Sequence, residues 1–333
     1  MQLPPPRGPL STVVIGRLAG PPAPVGPALS DAARGAVERH VLLDDDVQLS
    51  LFLLQELHHR GFDRVPAELE WDPALVAARG VLERALERDL RATVVVPEHP
   101  AGGDVAETLF ALTAPSPGPG LARFVARSAD TAQARELVVH RSIYTLAEAD
   151  PHTWAIPRLT GRAKAALVEI QADEYGGGRP ERMHSALFAQ TMRALGLDDR
   201  YGHYLPRVPA ATLTHVNVMR TFGLNRRLRG AAVGHLAAFE MTSSLPNRQY
   251  GDGFRRLGYD ERTTEYFDEH VEADAVHEQI AARDLAGGLV ADEPDLLPDV
   301  LFGAAACLAA DELVADALLG AWTSGRSSLM AAA

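Results

Sequence analysis

Residues 266–277 of this chain read Tyr-Phe-Asp-Glu-His-Val-Glu-Ala-Asp-Ala-Val-His. A helix turns by about 100° per residue, so His270, Asp274 and His277 fall within an arc of about 60° on one face. The aromatic pair at the start of the stretch flanks this face, which indicates that the face is buried. Two imidazoles and a carboxylate are costly to bury unless a partner compensates them, and a metal ion is such a partner. From this stretch alone, a hydrogen-bonded core cluster or a solvated face remains the alternative.

The first 97 residues are predicted to form a small helical extension. A helix is expected from Asp44 to His59, with an apolar stripe through Val47, Leu51 and Leu54. Asp72 and Pro73 form a cap with proline at the first helical position and open a helix to about residue 90. The proline-containing stretch 98–104 is interpreted as a linker. We therefore divide the chain into an extension, residues 1–97, and a main domain, residues 98–333.

From residue 104 onward the pattern is almost wholly helical. Pro180 is predicted to begin the helix that carries His184, and Asp260 the helix that carries His270. The glycine triplet 176–178 neither follows a strand nor precedes Lys-Ser/Thr, so it indicates a helix stop and not a phosphate-binding loop. Because strands do not alternate with helices and no repeat is present, the predicted fold class is all-α, an irregular helical bundle.

Composition excludes several classes of function. The chain of 333 residues has 32 Lys and Arg against 44 Asp and Glu, a net charge of −12, which argues against a nucleic-acid or anionic-membrane partner. The single cysteine, Cys307, permits neither a disulfide framework nor a zinc ribbon. No apolar run reaches membrane-spanning length, and the N-terminus lacks the pattern of a secretory signal. A cytoplasmic enzyme that acts on a small molecule is the expectation.

Two more candidate ligands lie on apolar helical faces outside the opening stretch. Glu240 follows Val233, Leu236 and Ala237 at helical spacing, so its carboxylate lies on their apolar stripe. His184 shares a face with apolar residues at 187, 188 and 195. Each residue singly is explained as well by a satisfied core or surface position. Together with the opening stretch they supply acids and imidazoles from three separate helices.

These segments resemble the haem-oxygenase-like diiron oxidase and oxygenase family, known in bacteria as iron-containing redox enzymes. The resemblance rests on Glu-Ile-Gln-Ala-Asp-Glu-Tyr-Gly-Gly-Gly at 169–178 followed by His184, on Gly-His-Leu-Ala-Ala-Phe-Glu-Met-Thr-Ser-Ser at 234–244, and on Glu-His-Val-Glu-Ala-Asp-Ala-Val-His at 269–277. It covers roughly residues 104–325. The family pattern is a Glu, a His on the next helix, another Glu, and then His-x-x-x-Asp-x-x-His. It implies a haem-oxygenase-like helical bundle and the metal ligands Glu174, His184, Glu240, His270, Asp274 and His277.

Two assignments stay open within this ligand set. Family members that oxygenate an amine nitrogen recruit one more glutamate from the preceding helix, and Glu148 is the candidate here. Glu181 is a rival of Glu174, because Glu181-x-x-His184 is also the Glu-x-x-His motif of ferritin-like bundles. Carboxylates with imidazoles suit non-haem iron better than structural zinc, which prefers thiolates or a closed set of four ligands.

The resemblance implies two iron ions, O₂ as co-substrate and an external electron donor. The expected substrate is a small, amino-acid-derived compound with an amine or carboxylate, within specialised metabolism, and N-oxygenation is the favoured reaction. Desaturation and C–C cleavage by the same family are alternatives. A ferritin-like iron-handling protein without an organic substrate is another, and so is a helical interaction module with a structural metal.

The extension leads to the first testable prediction, a homodimer. None of the proposed ligands lies in residues 1–97, and some family members use such a region for dimerisation, so we expect a two-fold dimer. Packing of these helices on the main domain of the same chain is the alternative. Light scattering on the full chain and on a chain that starts near Gly102 checks this. The full chain is expected to be dimeric and the shortened chain monomeric. A monomeric full chain would end the idea, and a shortened chain that stays dimeric would move the contact to the main domain.

Overall fold

The computed structural model of the protein describes residues 1–20, 28–115 and 120–331, apart from the side chains of residues 272, 274 and 275. Within these residues the regular elements are helices, and no β-strand is found, which confirms the all-α prediction. In chain order the α-helices are α1 (Pro9–Ala19), α2 (Ala28–Ala36), α3 (Asp45–Glu56), α4 (Pro73–Thr93), α5 (Val105–Leu112), α6 (Leu121–Arg127), α7 (Thr131–Thr145), α8 (Asp150–Thr153), α9 (Gly161–Glu174), α10 (His184–Ala194), α11 (Ala210–Leu224), α12 (Arg229–Met241), α13 (Ser244–Arg256), α14 (Glu261–Gln279), α15 (Gly287–Asp292) and α16 (Leu297–Thr323). A π-helical segment, Ile280–Ala286, joins α14 to α15. None of the described helices is long and apolar enough to cross a bilayer.

Two predicted helix starts in the extension are confirmed. The Asp44 carboxylate accepts hydrogen bonds from the backbone N–H groups of Asp46 and Val47 at the start of α3, both at 3.0 Å. Asp72 caps α4 in the same way, with Pro73 at the first helical position. Such caps satisfy N–H groups that have no partner inside the helix.

The predicted start of the His184 helix is wrong. Residues Pro180–Arg182 form a separate 3₁₀ turn, and α10 begins only at His184. Met183 separates the two with extended backbone, φ −57° and ψ 135°. Glu181 and His184 therefore do not share a helix, and the spacing of a ferritin-like motif does not bring their side chains together.

The glycine triplet allows α9 and α10 to meet closely. Gly176 has φ 69°, and a Cβ there would lie 2.6 Å from the backbone of Arg182 and Met183. Only glycine tolerates both the left-handed backbone and this approach. The consequence is that Glu174, the last residue of α9, lies next to His184, the first residue of α10.

Helices α12 and α16 form the centre of the bundle, again through glycine. A Cβ on Gly234 or Gly303 would clash with the backbone of Val300 or Ala231 on the facing helix. The helices therefore pack backbone to backbone. This contact buries α12, which carries Glu240 toward the site.

The apolar stripe of α3 is buried against the chain's own main domain. Val47, Leu51 and Leu54 belong to the large hydrophobic core, and α3 packs on α11. The same interface holds a buried ion pair, in which Arg220 Nη2 donates to Glu56 Oε2 at 2.7 Å. The domain boundary at residue 97 and the dimer stay predictions.

We expect Glu56→Gln to destabilise the protein strongly. It leaves the buried Arg220 guanidinium without a counter-ion, and breaking a buried pair in this way costs on the order of 3 kcal/mol of the free energy of unfolding. Urea denaturation followed by far-UV circular dichroism measures the change. The control is Asp31→Asn, which removes an exposed ion pair with Arg34 and is expected to change little. Equal effects of the two variants would contradict the role given to the buried pair.

Candidate metal centre

Buried acids and histidines converge in the main domain as two groups that share one residue. The first consists of Glu148, Glu174, His184 and His270, and the second of Glu174, Glu240 and His277. Within each group, one potential ligand atom per residue lies within 4.8 Å of the others. Glu174 belongs to both groups, so its carboxylate lies between two places where a cation can be held.

Helix ends and one long helix position these side chains. Glu174 ends α9 and His184 begins α10, with 2.9 Å between Glu174 Oε2 and His184 Nδ1. His270 and His277 lie seven residues apart on α14, and this spacing gives them a common face. The rings of His184 and His270 are 4.3 Å apart.

The backbone of α14 orients His270. Its Nδ1 lies 2.7 Å from the carbonyl oxygen of Tyr266, one turn earlier, and a carbonyl can only accept. Nδ1 therefore carries the proton, and Nε2 presents its lone pair. Nε2 lies 3.8 Å from Glu148 Oε1 and has no hydrogen-bond partner among the described residues. A buried imidazole nitrogen oriented in this way is the usual form of a metal-ligating histidine.

Asp173 orients His277 from outside the site. Its carboxylate oxygen accepts a hydrogen bond from His277 Nε2 at 3.1 Å, although Asp173 itself is 62% exposed. The other nitrogen of the ring, Nδ1, then faces inward, 3.3 Å from Glu240 Oε2 and 4.0 Å from Glu174 Oε1. A carboxylate behind a ligating imidazole fixes the ring's tautomer and raises its basicity.

Tyr266 has a second role through its side chain. Its hydroxyl lies 2.9 and 3.1 Å from the two oxygens of Glu148 and donates to that carboxylate. Burial raises the pKa of Glu148 to about 8, and the nearby charge of Glu174 adds to the rise. Burial also acts to raise the pKa of Glu174, but the imidazoles, His184 foremost, outweigh it and lower the value to about 2.

The pKa values of the remaining ionisable groups are shifted for related reasons. Burial raises the pKa of Glu240 and lowers that of His270 to about 3. Burial acts to lower the pKa of His277, but the hydrogen bonds and charges of Glu240, Asp173 and Glu174 together outweigh burial and raise the value to about 10. Glu148, Glu174 and Glu240 thus repel one another in one buried volume, and protons on the acids and imidazoles relieve this repulsion only in part. A divalent cation would relieve it better.

Five of the six sequence-predicted ligands lie together: Glu174, His184, Glu240, His270 and His277. The side chain of the sixth, Asp274, lies outside the described residues. Glu148, left open at the level of sequence, joins the first group. Glu181 is exposed and belongs to neither group of described residues.

Sequence reasoning did not find the groups that support the ligands. The Tyr266 hydroxyl and Asp173 carry signals that are weak in isolation: Tyr266 precedes His270 by one turn, and Asp173 is the neighbour of Glu174. His235 is fully buried, and its Nδ1 lies 3.1 Å from Nε2 of the buried His152.

A small cavity of about 10 Å³ lies among the ligands, bordered by Glu148, Glu174, Glu240 and His270. That volume holds about one water-sized molecule. Tyr144 and Phe239 complete part of the wall. The donor set of carboxylates and imidazoles, with the lone pair of His270 Nε2 directed inward, fits non-haem iron.

The family whose model matches this chain agrees with this chemistry. Residues 135–312 match the model of a family described as iron-containing redox enzymes. The chain is similar to a nitrosourea synthase of Streptomyces achromogenes subsp. streptozoticus, with 29% identity over 161 residues; the match covers 47% of this chain and 34% of the relative. Among solved structures it is similar to a CADD-like protein of unknown function from Nostoc punctiforme PCC 73102, with 16% identity, a TM-score of 0.49, and coverage of 72% of this chain and 97% of that one.

The two open glutamates give a prediction. We expect Glu148→Gln to weaken iron binding, because it replaces a carboxyl group that can ionise on a metal ion by a neutral amide in a buried group of four candidate ligands. Glu181→Gln is the matched control, since its side chain is exposed and outside both groups. Iron content after anaerobic loading and desalting measures the effect. Loss of iron in the Glu181 variant, with none in the Glu148 variant, would make Glu181 a ligand in competition with Glu174 and remove Glu148 from the set.

Proposed function

Because the chain belongs to the iron-containing redox enzyme family, we propose that it is a non-haem diiron enzyme that uses O₂ to oxidise a small, amino-acid-derived substrate. The observation that carries the proposal is the position of Glu174, whose carboxylate belongs to both groups of candidate ligands. A carboxylate has two oxygens and can serve two metal ions at once. One octahedral ion would not use the three carboxylates and three imidazoles of these two groups and still leave room for O₂.

The proposed ligands are Glu148, Glu174, His184, Glu240, His270, Asp274 and His277. When bound, iron supplies the redox chemistry that lets O₂ react with an N–H or C–H bond, with electrons from an external donor. The chain's own residues do the rest. Tyr266 and Asp173 hold ligands in place through the hydrogen bonds described above, and the apolar ring of Phe239 limits water beside the small cavity.

N-oxygenation is the reaction we favour. The relative's name, nitrosourea synthase, denotes a product with an oxidised nitrogen, and the presence of Glu148 in the first ligand group fits family members that oxygenate an amine. Desaturation and C–C cleavage remain the alternatives within the family. The ferritin-like alternative is weakened, because Glu181 does not pair with His184. A homodimer in specialised metabolism completes the proposal.

Iron stoichiometry tests the dinuclear site. We expect about two irons per chain after anaerobic loading, and one or fewer in His270→Ala and His277→Ala, with helical circular dichroism retained. His203→Ala is the matched control, because His203 lies at the surface beside Asp198. Saturation of the unaltered protein at one iron would refute the dinuclear site.

The reaction with O₂ tests the redox function. Protein loaded with Fe(II) is mixed with O₂ in a stopped-flow spectrometer, with and without candidate amino acids. We expect a transient visible absorbance that a substrate makes decay faster. Iron oxidation that no organic compound accelerates, followed by growth of a mineral core, would favour an iron-handling protein instead.

A further inference from the structure

A second, much larger cavity lies beside the candidate metal centre. It has a volume of about 650 Å³ and is formed by residues of α6, α7, α11, α13 and α16. Tyr144, Phe239 and Ser243 line both this cavity and the small one among the ligands. Leu245, which is 46% exposed, lies at its edge and marks an opening to solvent. A volume of this size is typical of a binding site for a small molecule.

Arg141 lines the cavity at the side nearest the metal centre. It lies on α7, two turns before Glu148, and its guanidinium is 5.3 Å from the centre of the Tyr250 ring. It also interacts with the hydroxyl of Tyr266, the same group that donates to Glu148. The Arg141 guanidinium and the candidate ligand Glu148 therefore both interact with the hydroxyl of Tyr266.

In the part of the chain that the structure describes, no carboxylate lies within ion-pair distance of the Arg141 guanidinium, although the more distant charge of Glu148 and the hydroxyl of Tyr266 both act on it. Its Nε lacks a hydrogen-bond partner there. The buried Arg220, by contrast, is paired with Glu56. A guanidinium is always charged and offers a planar fork that fits a carboxylate. A guanidinium in a cavity wall that no carboxylate contacts, and whose Nε has no partner, can bind an anion from outside the chain.

We propose that the large cavity is the substrate chamber and that Arg141 binds the substrate's carboxylate. This inference rests on the proposed function and adds to it a recognised group and the residue that binds it. A carboxylate on Arg141 holds the neighbouring atoms of the substrate against the wall shared with the small cavity. Arg141 is therefore a positioning residue for the atoms that react.

Another part of the cavity wall has the opposite charge. Asp311, Glu312 and Asp316 line it from α16, and Asp311 Oδ1 lies 2.9 Å from Nε2 of His215. These acids favour a positive group at the other end of the substrate and disfavour a second carboxylate. The chamber is therefore suited to a dipolar compound, with its carboxylate toward the metal centre and its cationic end toward α16.

Isothermal titration of the full chain, loaded with Fe(II) without O₂, tests the inference with four probes of equal length. They are 6-aminohexanoate, hexanoate, hexylamine and adipate. We expect 6-aminohexanoate to bind most tightly and hexanoate next, with hexylamine and adipate at least about tenfold weaker than 6-aminohexanoate. Binding of hexylamine as tight as that of hexanoate, or no measurable binding of either carboxylate, would overturn the proposal.

Variants assign the effect to one residue. Arg141→Gln is expected to weaken both monocarboxylates by about tenfold or more, and Arg141→Lys to retain part of the affinity, since it keeps the charge but not the fork. Arg123→Gln, which removes another guanidinium from the same cavity, is the matched control and is expected to bind as the unaltered chain does. Unchanged affinity in Arg141→Gln, or an equal loss in Arg123→Gln, would overturn the assignment.

Failure of this inference is distinguishable from failure of the proposed function. Iron content is measured on every variant, so a loss of probe binding at unchanged iron content identifies an anchor for the substrate and not a support for the metal. If Arg141→Gln loses iron or fails to fold, two measurements still test the inference. They are the order of probe affinities for the unaltered chain and the affinity of Arg141→Lys for the monocarboxylates. Carboxylate binding that persists in a protein that takes up one iron would refute the dinuclear site alone.

Discussion

The structure depends on one electrostatic constraint, the burial of ionisable groups of both signs around the carboxylate of Glu174. Burial raises the pKa of the acids and lowers that of imidazoles, and only mutual contact or a bound cation compensates both. Close contact alone does so incompletely, as the opposite shifts of Glu148 and Glu174 show. The rest of the bundle positions these groups so that they can share cations.

The positioning comes mainly from glycines and helix ends. At Gly176 a left-handed backbone brings the end of α9 against the start of α10, so two ligands from different helices become neighbours. At Gly234 and Gly303 two long helices approach at backbone distance, which fixes the depth of the helix that carries Glu240. The supports of the ligands are equally local, since Tyr266 acts on His270 through its carbonyl and on Glu148 through its hydroxyl.

Much of this was predictable from sequence because helical spacing is a local property. The common face of His270 and His277, the apolar surroundings of Glu240 and the all-α class follow from periodicity. The start of α10 did not, because a proline at 180 indicates a helix start equally well for a single 3₁₀ turn, and the extended backbone at Met183 is set by tertiary contact. Glu148 was named only through the family resemblance, and Arg141 was not named at all, for another reason. The role of each residue depends on which distant side chains face it, and no local sequence pattern encodes that arrangement.

The account rests on two irons that share the Glu174 carboxylate, and Mössbauer spectroscopy of protein loaded with ⁵⁷Fe and then oxidised tests this most directly. Two ferric ions joined by bridging ligands couple antiferromagnetically, so the account predicts a diamagnetic ground state at low temperature in small applied fields. Loss of that coupling in Glu174→Ala would support the bridging role. A spectrum of isolated high-spin ferric ions in the unaltered protein, with magnetic splitting, would contradict the account.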